Sequence, residues 1–228
     1  MKKIILFLLI LCTSGLQAQV NDTLVNNQQQ LRVNDPFYRE DQFYIGITHS
    51  LYLDTPEGFK QNSISAGFQI GTLRDIPINE KRTWAIAPGI GLSTYNMRTN
   101  WLVLDPQQND YEVNSNYTKN KQNFYFLDIP IEIRWRTSTI QSYKFWRIYS
   151  GFRYSYLLAS DSRYQGYYGN IKQSNDKNLN RSHFGAYISA GFNTWNFQAY
   201  YGFTPMYKSA TNTKGMHTLH LGLMFYIL

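Results

Sequence analysis

Apolar residues alternate with small, polar or charged residues along most of the chain after position 41. In the stretch "FLDIPIEIRWR", residues 126 to 136, Ile129, Ile131 and Ile133 fall on one parity, while Asp128 and Glu132 fall on the other. A period of two is the pattern of a β-strand whose two faces meet different environments. Eight stretches carry this pattern, at 42–53, 63–73, 83–95, 126–136, 145–158, 183–193, 196–204 and 218–228. The chain is therefore predicted to be all-β.

The polar face of these strands and the lengths of their connections favour a barrel in a membrane. Gly, Ser and Ala dominate the polar face, with a few large residues among them, which suits a narrow lumen. Long connections at 54–62, 96–122, 159–182 and 205–217 alternate with short ones at 74–82, 137–144 and 194–195. We predict an eight-stranded antiparallel up-and-down transmembrane β-barrel with short periplasmic turns and long extracellular loops. A soluble sandwich stays open as the alternative.

Two prolines fall inside predicted strands and would each remove a ladder donor. The alternation keeps its phase across Pro88 and Pro130. We therefore predict a missing hydrogen bond or a compensated bulge there, rather than an inserted residue.

Tryptophans and charges give the predicted barrel two further features. Trp84, Trp135, Trp146 and Trp195 all stand beside short connections and predict a periplasmic-side aromatic girdle, because such rings gather at membrane interfaces.

If the apolar face meets lipid, the charged residues of the other face must lie in the lumen. They are Asp128, Glu132, Arg134, Arg136, Arg147 and Arg153. An unpaired charge is costly there, so both carboxylates are predicted to pair with arginines in a network that braces the barrel.

The N-terminal part of the chain differs from the barrel region. Lys2, Lys3, the apolar run 4–11 and Ala18 are typical of a secretory signal peptide, predicted at 1–18. Residues 19–40 are polar and without period and predict a flexible periplasmic leader, so the outer-membrane barrel is predicted at 41–228. Cleavage after Ala18 would remove the one cysteine and, with Lys2 and Lys3, lower the formal charge from +7 to +5. The chain contains no long run of like charges, so nucleic acid is not predicted as a partner.

The histidines are the candidates for chemistry, and none has a suitable neighbour along the sequence. His49 and Ser50 are adjacent on one strand, so they point to opposite faces. His217 and His220 also differ in parity and lack a third ligand. We therefore predict no catalytic, cofactor-binding or metal-binding residue, no cofactor and no enzymatic activity.

Several motifs resemble the PorT-like outer-membrane barrel domain that is common in Bacteroidota. They are "FLDIPIEIRW", "AIAPGIGLS" after the "RDIPINEK" turn, "AGFNTWNFQAYYGFTP" and the C-terminal "HLGLMFYIL". The resemblance covers residues 41–228 and implies a small porin-family barrel, with a link to type IX secretion or gliding motility. In the last motif His220, Gly222, Phe225 and Ile227 fit the assembly signal of outer-membrane barrels, although the chain ends in Leu228 rather than an aromatic residue.

The predicted function is that of a non-enzymatic structural or accessory component of an envelope complex. Its predicted partners are outer-membrane lipid, the barrel-assembly machinery during biogenesis, and proteins of an envelope or secretion complex. The second long loop holds Trp101, Leu102, Val103, Leu104 and Tyr111, interpreted as a partner-contact surface or as a lid over the mouth. The third is interpreted as a solvated exterior loop suited to adaptable binding. A small porin-like pore and a loop-mediated surface ligand-binding or adhesion protein remain the alternatives.

Overall fold

The computed structural model describes residues 41–61, 63–137, 146–208 and 215–227. The predicted signal peptide at 1–18 and leader at 19–40 lie outside these residues. In the part that is described, no helix is long and apolar enough to cross a membrane. The described residues contain twelve β-strands: β1 (Asp41–Leu53), β2 (Ala66–Arg74), β3 (Ile76–Pro77), β4 (Trp84–Met97), β5 (Trp101–Asp105), β6 (Asp110–Val113), β7 (Tyr117–Arg136), β8 (Trp146–Gly166), β9 (Gly169–Ser174), β10 (Ser182–Phe192), β11 (Trp195–Gly202) and β12 (His217–Ile227).

Eight of these strands close into an antiparallel barrel. Hydrogen bonds join β1, β2, β4, β7, β8, β10, β11 and β12 in that order, and β12 pairs with β1 again. The closing seam runs from Phe43 opposite Ile227 to Leu53 opposite His217. Closure gives each barrel strand two bonded neighbours, which hydrocarbon requires because it holds no water to satisfy a free edge. The predicted all-β, eight-stranded barrel is confirmed, as one closed sheet rather than the two packed sheets of a sandwich.

Apolar side chains face outward from the barrel, and ionic side chains face its lumen. On β7, Ile129, Ile131 and Ile133 are 44%, 52% and 53% exposed, whereas Asp128 and Arg134, on the alternate positions, are 0% exposed. A protein folded for water would bury the isoleucines and expose the ions. The medium around the outer face is therefore apolar, as the hydrocarbon of a membrane is.

Small residues on the inner face make room for large ones in a narrow lumen. Gly71 of β2 and Gly91 of β4 lie directly opposite each other. A Cβ atom on either glycine would overlap the hydroxyl end of Tyr44, which is buried in the lumen. The alternation of Gly with bulky residues on this face is therefore a packing requirement of the narrow cylinder.

The two prolines leave the strand register unchanged. Between β4 and β7, Pro88 lies opposite Ile131 and Gly91 lies opposite Asp128, which is one continuous register. The two intermediate pairs are missing from the ladder. The prediction of missing bonds without an inserted residue is confirmed, and the neighbouring ladders of β4 with β2 and of β7 with β8 continue past the gap.

Two of the predicted exterior loops contain much more strand than expected. β7 begins at Tyr117 and β8 ends at Gly166, well beyond the barrel, and β9 pairs with the upper part of β8. We call the upper parts of β7 and β8 together with β9 the exterior extension. β5 and β6 form a separate hairpin from the second loop. The third connection, interpreted as a solvated exterior loop, thus consists largely of β-strand. This strand was not predicted, because its two faces lack the contrast between apolar and polar residues that marks a strand in lipid.

Substitution of a lipid-facing residue tests the assigned orientation. Ile131→Arg should block membrane assembly, because an arginine at the bilayer midplane costs about 2–4 kcal/mol. The measurement is heat-modifiable migration of outer-membrane fractions on gels. Ile131→Leu, which keeps the apolar area, should assemble like the unchanged protein. Normal assembly of the arginine variant would show that this face does not meet hydrocarbon.

Candidate functional site

Four charged side chains are joined at the periplasmic end of the lumen, and we call them the base cluster: Asp75, Glu132, Arg134 and Arg136. Arg134 donates from Nη1 to Asp75 Oδ1 at 2.9 Å and from Nε to Glu132 Oε2 at 2.7 Å. Arg136 Nη2 donates to the other oxygen of Asp75, also at 2.9 Å. All four residues are buried. Each charge therefore touches an opposite charge, which is what a buried ion requires.

Aromatic side chains enclose the base cluster. The hydroxyls of Tyr187 and Tyr226 donate to Glu132 Oε1 at 2.7 Å and 3.2 Å. The guanidinium carbon of Arg134 lies 4.7 Å from the centroid of the Tyr149 ring, within the range of a cation–π contact. Glu132 thus accepts hydrogen bonds from three groups, and the section of the lumen around it is filled.

Asp75 bridges the two arginines of the base cluster but was not among the predicted lumen charges. It was assigned to the short connection 74–82. Asp75 falls on the same alternate positions as Gln69 and Leu73, which are buried on the inner face of β2. Extending the alternation by one residue past the end of β2 would have placed it in the lumen.

Arg153 occupies the middle of the lumen, in a group that we call the middle layer: Gln69, Tyr95, Arg153, Tyr200 and His220. Its Nη1 donates to Gln69 Oε1 at 2.6 Å and its Nη2 to Tyr95 Oη at 3.2 Å. Its guanidinium carbon lies 4.0 Å from the centroid of the Tyr200 ring. The positive charge of Arg153 is therefore stabilised mainly by hydrogen bonds and by the face of an aromatic ring.

The remaining predicted lumen charges are also buried. Asp128 Oδ1 accepts a hydrogen bond of 2.5 Å from Ser155 Oγ, while Asp128 Oδ2 lies 4.0 Å from Arg153 Nη1. The ion pair of Asp128 is thus longer than that of Glu132. Arg147 is buried on the inner face of β8, near the short turns.

His220 pairs with a serine that is remote in the sequence. Its Nδ1 lies 2.8 Å from Ser50 Oγ, directly across the closing seam. Its ring is stacked between Tyr95 and Tyr200, with centroid distances of 4.1 Å and 5.1 Å. No local sequence pattern predicts this pair, because the two residues are 170 positions apart. Both partners are buried, so the pair lies sealed inside the barrel, where it braces the seam.

The β5–β6 hairpin closes the exterior mouth of the barrel, and we call it the plug hairpin. Trp101, Leu102 and Val103 are buried in it, while Leu104 and Tyr111 are partly buried. The rings of Trp101 and Tyr111 stack at 5.6 Å. Of the two interpretations of this loop, the geometry is that of a lid. Its apolar residues turn inward and are not presented to an exterior partner.

Neighbouring connections hold the plug hairpin in place. Tyr111 Oη lies 2.8 Å from Asp176 Oδ2, to which it donates, and accepts from Asn178 Nδ2 at 2.8 Å. Gln173 Nε2 donates to the carbonyl of Leu104 at 2.8 Å. Burial raises the pKa of Tyr111 well above its usual value, so its hydroxyl stays a donor at physiological pH.

Little space remains between the plug hairpin and the middle layer. A cavity of about 20 Å³ lies there, lined by Tyr52, Phe126, Arg153 and His220 among others. Since one water molecule needs about 10–15 Å³ of such space, this cavity has room for about one water molecule. The base cluster, the middle layer and the plug hairpin thus fill the lumen at three successive levels.

The predicted girdle and assembly residues lie as follows. Trp84, Trp146 and Trp195 are exposed at the short-turn end, and Trp84 lies directly opposite the partly exposed Trp135. Within the last strand, His220 is buried in the lumen and Ile227 is exposed on the outer face.

The other two residues of that motif lie on the barrel wall. Gly222 lies opposite Thr48 at the closing seam, and the Phe225 ring meets Trp195 at 4.8 Å. Recognition of these residues by the assembly machinery stays a prediction.

Comparison with known proteins agrees with this architecture. A family profile described as outer membrane protein beta-barrel domain matches residues 17–208, which is more than half of the chain. The chain belongs to this family. It is an outer-membrane β-barrel protein, and the matched part includes the plug hairpin and the exterior extension. No curated protein matches the chain.

Two solved structures show a similar small barrel. One is Ail, the attachment invasion locus protein of Yersinia pestis, in complex with the heparin analogue sucrose octasulfate. It has 12% identity and a TM-score of 0.36, covering 83% of this chain and 99% of that chain. The other is Neisserial surface protein A, with 11% identity and a TM-score of 0.35, covering 83% and 98%. These likenesses concern the fold alone.

The base cluster makes a prediction about stability. Asp75→Asn leaves Arg134 and Arg136 buried without their shared carboxylate, and breaking such a pair costs about 3–5 kcal/mol. Urea unfolding of the refolded barrel, followed by tryptophan fluorescence, should show this loss. The control is Asp54→Asn at an exposed position with φ of 53°, which Asn also adopts, so its change should stay within about 0.5 kcal/mol. Equal stability of the two variants would contradict a bracing role.

Proposed function

We propose that this outer-membrane barrel is a non-conducting, non-enzymatic structural or accessory component of a cell-envelope complex. The observation that carries the proposal is the filling of the lumen by the base cluster, the middle layer and the plug hairpin. A barrel without a path through it acts through the surfaces that it presents.

The filled lumen argues against the alternative of a small pore. Ions cross a membrane through a continuous hydrated path, whereas the charged groups of the base cluster bind one another. Arg134 and Tyr149 are both 0% exposed, and each contacts side chains across the lumen. Eight strands leave room for side chains and little else.

The arrangement of possible catalytic groups supports the non-enzymatic part of the proposal. Among the described residues, Ser50 and His220 form a close contact between serine and histidine, and the rings of Tyr95 and Tyr200 cover it. A nucleophile must reach its substrate within hydrogen-bond distance, and these rings stand in the way. Among the described residues, no group of three or more His, Cys, Asp or Glu side chains could hold a metal ion.

The exterior extension offers a surface for a protein partner. Its β8–β9 turn exposes the rings of Tyr167 and Tyr168, and Tyr168 Oη donates to Glu112 of the plug hairpin at 2.9 Å. Tyrosine supplies a large contact area at low conformational entropy cost, which makes it frequent in protein interfaces. We therefore propose the turn around Tyr167 as the partner contact, in place of the inward-turned residues of the plug hairpin.

The identity of the complex is a further part of the proposal. The "FLDIPIEIRW" and C-terminal motifs resemble PorT-like barrels, and this resemblance implies the type IX secretion or gliding-motility machinery. That machinery is therefore the first complex in which to search for a partner.

Conductance measurements test the sealed lumen. Purified protein in planar lipid bilayers should give no discrete conductance steps. Replacing residues 101–113 by a short Gly-Ser linker should also give none, because the base cluster and the middle layer remain. Regular steps from the unchanged protein would show that it is a pore.

Purification from native membranes tests the accessory role. Affinity-tagged protein extracted in mild detergent should bring down an envelope protein in stoichiometric amount. Tyr167→Ser should lower that recovery about tenfold, the effect expected of one important interface tyrosine. The control is Tyr201→Ser, on the outer face of β11, which should leave recovery unchanged. Purification of the barrel alone from every mild extraction would contradict the role.

A further inference from the structure

Three cations stand in one row across the exterior extension. Lys121 of β7 lies directly opposite Arg163 of β8, and Arg163 lies directly opposite Lys172 of β9. Directly opposite side chains of an antiparallel pair have Cβ atoms about 4.5–5.5 Å apart, and like charges at that spacing destabilise the pair. We call Lys121, Arg163 and Lys172 the cationic row.

The cationic row lies on the outer face of the extension. On β7, the flanking side chains of Asn120 and Gln122 point inward, where they donate to the carbonyl of Trp101 and to Tyr207 Oη. Lys121 between them therefore points outward, on the same parity as the lipid-facing residues of β7. Arg163 and Lys172 share this face because they are its cross-strand partners, and both are exposed.

The charge of the row is only partly balanced by the protein. Among the described residues, the salt bridge found for these cations joins Arg163 Nε and Asp161 Oδ2 at 3.3 Å. The same carboxylate oxygen also accepts a hydrogen bond from Asn123 Nδ2 at 2.9 Å. Asp161 thus balances Arg163 alone, and Lys121 and Lys172 leave the outer face of the extension positive.

The row stands at the height of lipid headgroups. The outward residues of β7 are apolar or aromatic from Trp135 to Tyr125 and become polar at Asn123 and cationic at Lys121. Ten residues at about 3.3 Å each, tilted by about 40°, span about 25 Å, the height of the apolar band of such barrels. Four further residues place Lys121 about 10 Å beyond that band. Long basic side chains at this height reach the headgroup layer.

We propose that the cationic row binds the phosphate groups of a phosphorylated glycolipid in the outer leaflet of the membrane that surrounds the barrel. Its acyl chains would lie on the apolar residues directly below the row. One of these is Leu158, which is 54% exposed at the irregular step in the β7–β8 register. The fork of Arg163 and the two flanking ammonium groups match a phosphate, which accepts several charge-assisted hydrogen bonds.

Continuity with the lipid-facing band selects this occupant over a soluble anion. A phosphate in solution would need only the cations, whereas this row continues a face that hydrocarbon already covers. Lipid binding by the cationic row goes beyond the accessory role and needs no protein partner. An experiment can therefore contradict one of these two proposals without affecting the other.

Lipid binding by the refolded full-length barrel in detergent micelles tests the proposal. The probes are two lipid A preparations with the same acyl chains, one phosphorylated and one fully dephosphorylated, and native mass spectrometry counts the bound lipid. The unchanged barrel should bind the phosphorylated form at least about tenfold more tightly, the effect of about 1.4 kcal/mol in binding free energy. The triple variant Lys121→Gln, Arg163→Gln, Lys172→Gln should bind both forms equally.

A matched control removes three exposed cations elsewhere. Lys60→Gln, Lys81→Gln and Lys177→Gln together delete the same charge from the loops and a short turn, and this variant should keep the full preference for phosphate. Lys172→Gln alone, at the sheet edge, should weaken the preference about threefold even if the triple variant does not fold. Equal binding of both lipids by the unchanged barrel, or an equal loss in the control, overturns the proposal.

Soluble competitors separate the lipid from other anions. Inorganic phosphate should displace the phosphorylated lipid only at far higher concentration, because it lacks the acyl chains that lie on the apolar band. Displacement by a soluble polysulfated saccharide at concentrations equal to that of the lipid would assign the row to an acidic glycan. That result would overturn the lipid as its occupant.

Discussion

The hydrogen bonds between the first and last barrel strands are the interaction on which the rest of the structure depends. They run along the whole seam from Phe43 opposite Ile227 to Leu53 opposite His217. In hydrocarbon each unsatisfied backbone group costs several kcal/mol, so the sheet must close. Eight strands close into a narrow cylinder. Every side chain that points inward then loses bulk water, whatever its chemistry.

The chemistry of the lumen follows from that loss of water. Charged side chains that would be solvated on a surface must here find partners among themselves, and Asp75 supplies one carboxylate to two arginines. Tyrosine hydroxyls donate further hydrogen bonds to Glu132, and an aromatic ring faces the guanidinium group of Arg153. A buried network of ion pairs such as the base cluster is rigid, since moving one charged member leaves another without its partner. The sealing of the barrel and its stability are thus two consequences of one arrangement.

The sequence predicted the parts of the fold that depend on the contrast between lipid and lumen. The facing of Ile131 and of Arg134 follows from parity alone, because a shift of one residue would exchange them. The contacts between side chains of distant strands, by contrast, cannot be predicted from local alternation. Ser50 and His220 meet only because the closing register places them opposite each other, and no local pattern contains that register. Asp75 was missed for a smaller reason, namely that the predicted strand ended at residue 73, two residues before it.

The exterior extension was not predicted, because the difference between an apolar and a polar face of a strand disappears above the membrane. On β7 the outward residues change from Ile129 and Tyr125 to Asn123 and Lys121, while the inward Asn120 and Gln122 are also polar. Both faces then meet polar surroundings, so a strand there shows no apolar stripe. The same change of residue type that hides the strand from a pattern search marks the depth at which hydrocarbon ends. A row of cations at that depth is therefore explained by the medium beside it: lipid phosphates form the first polar layer that the outer face meets.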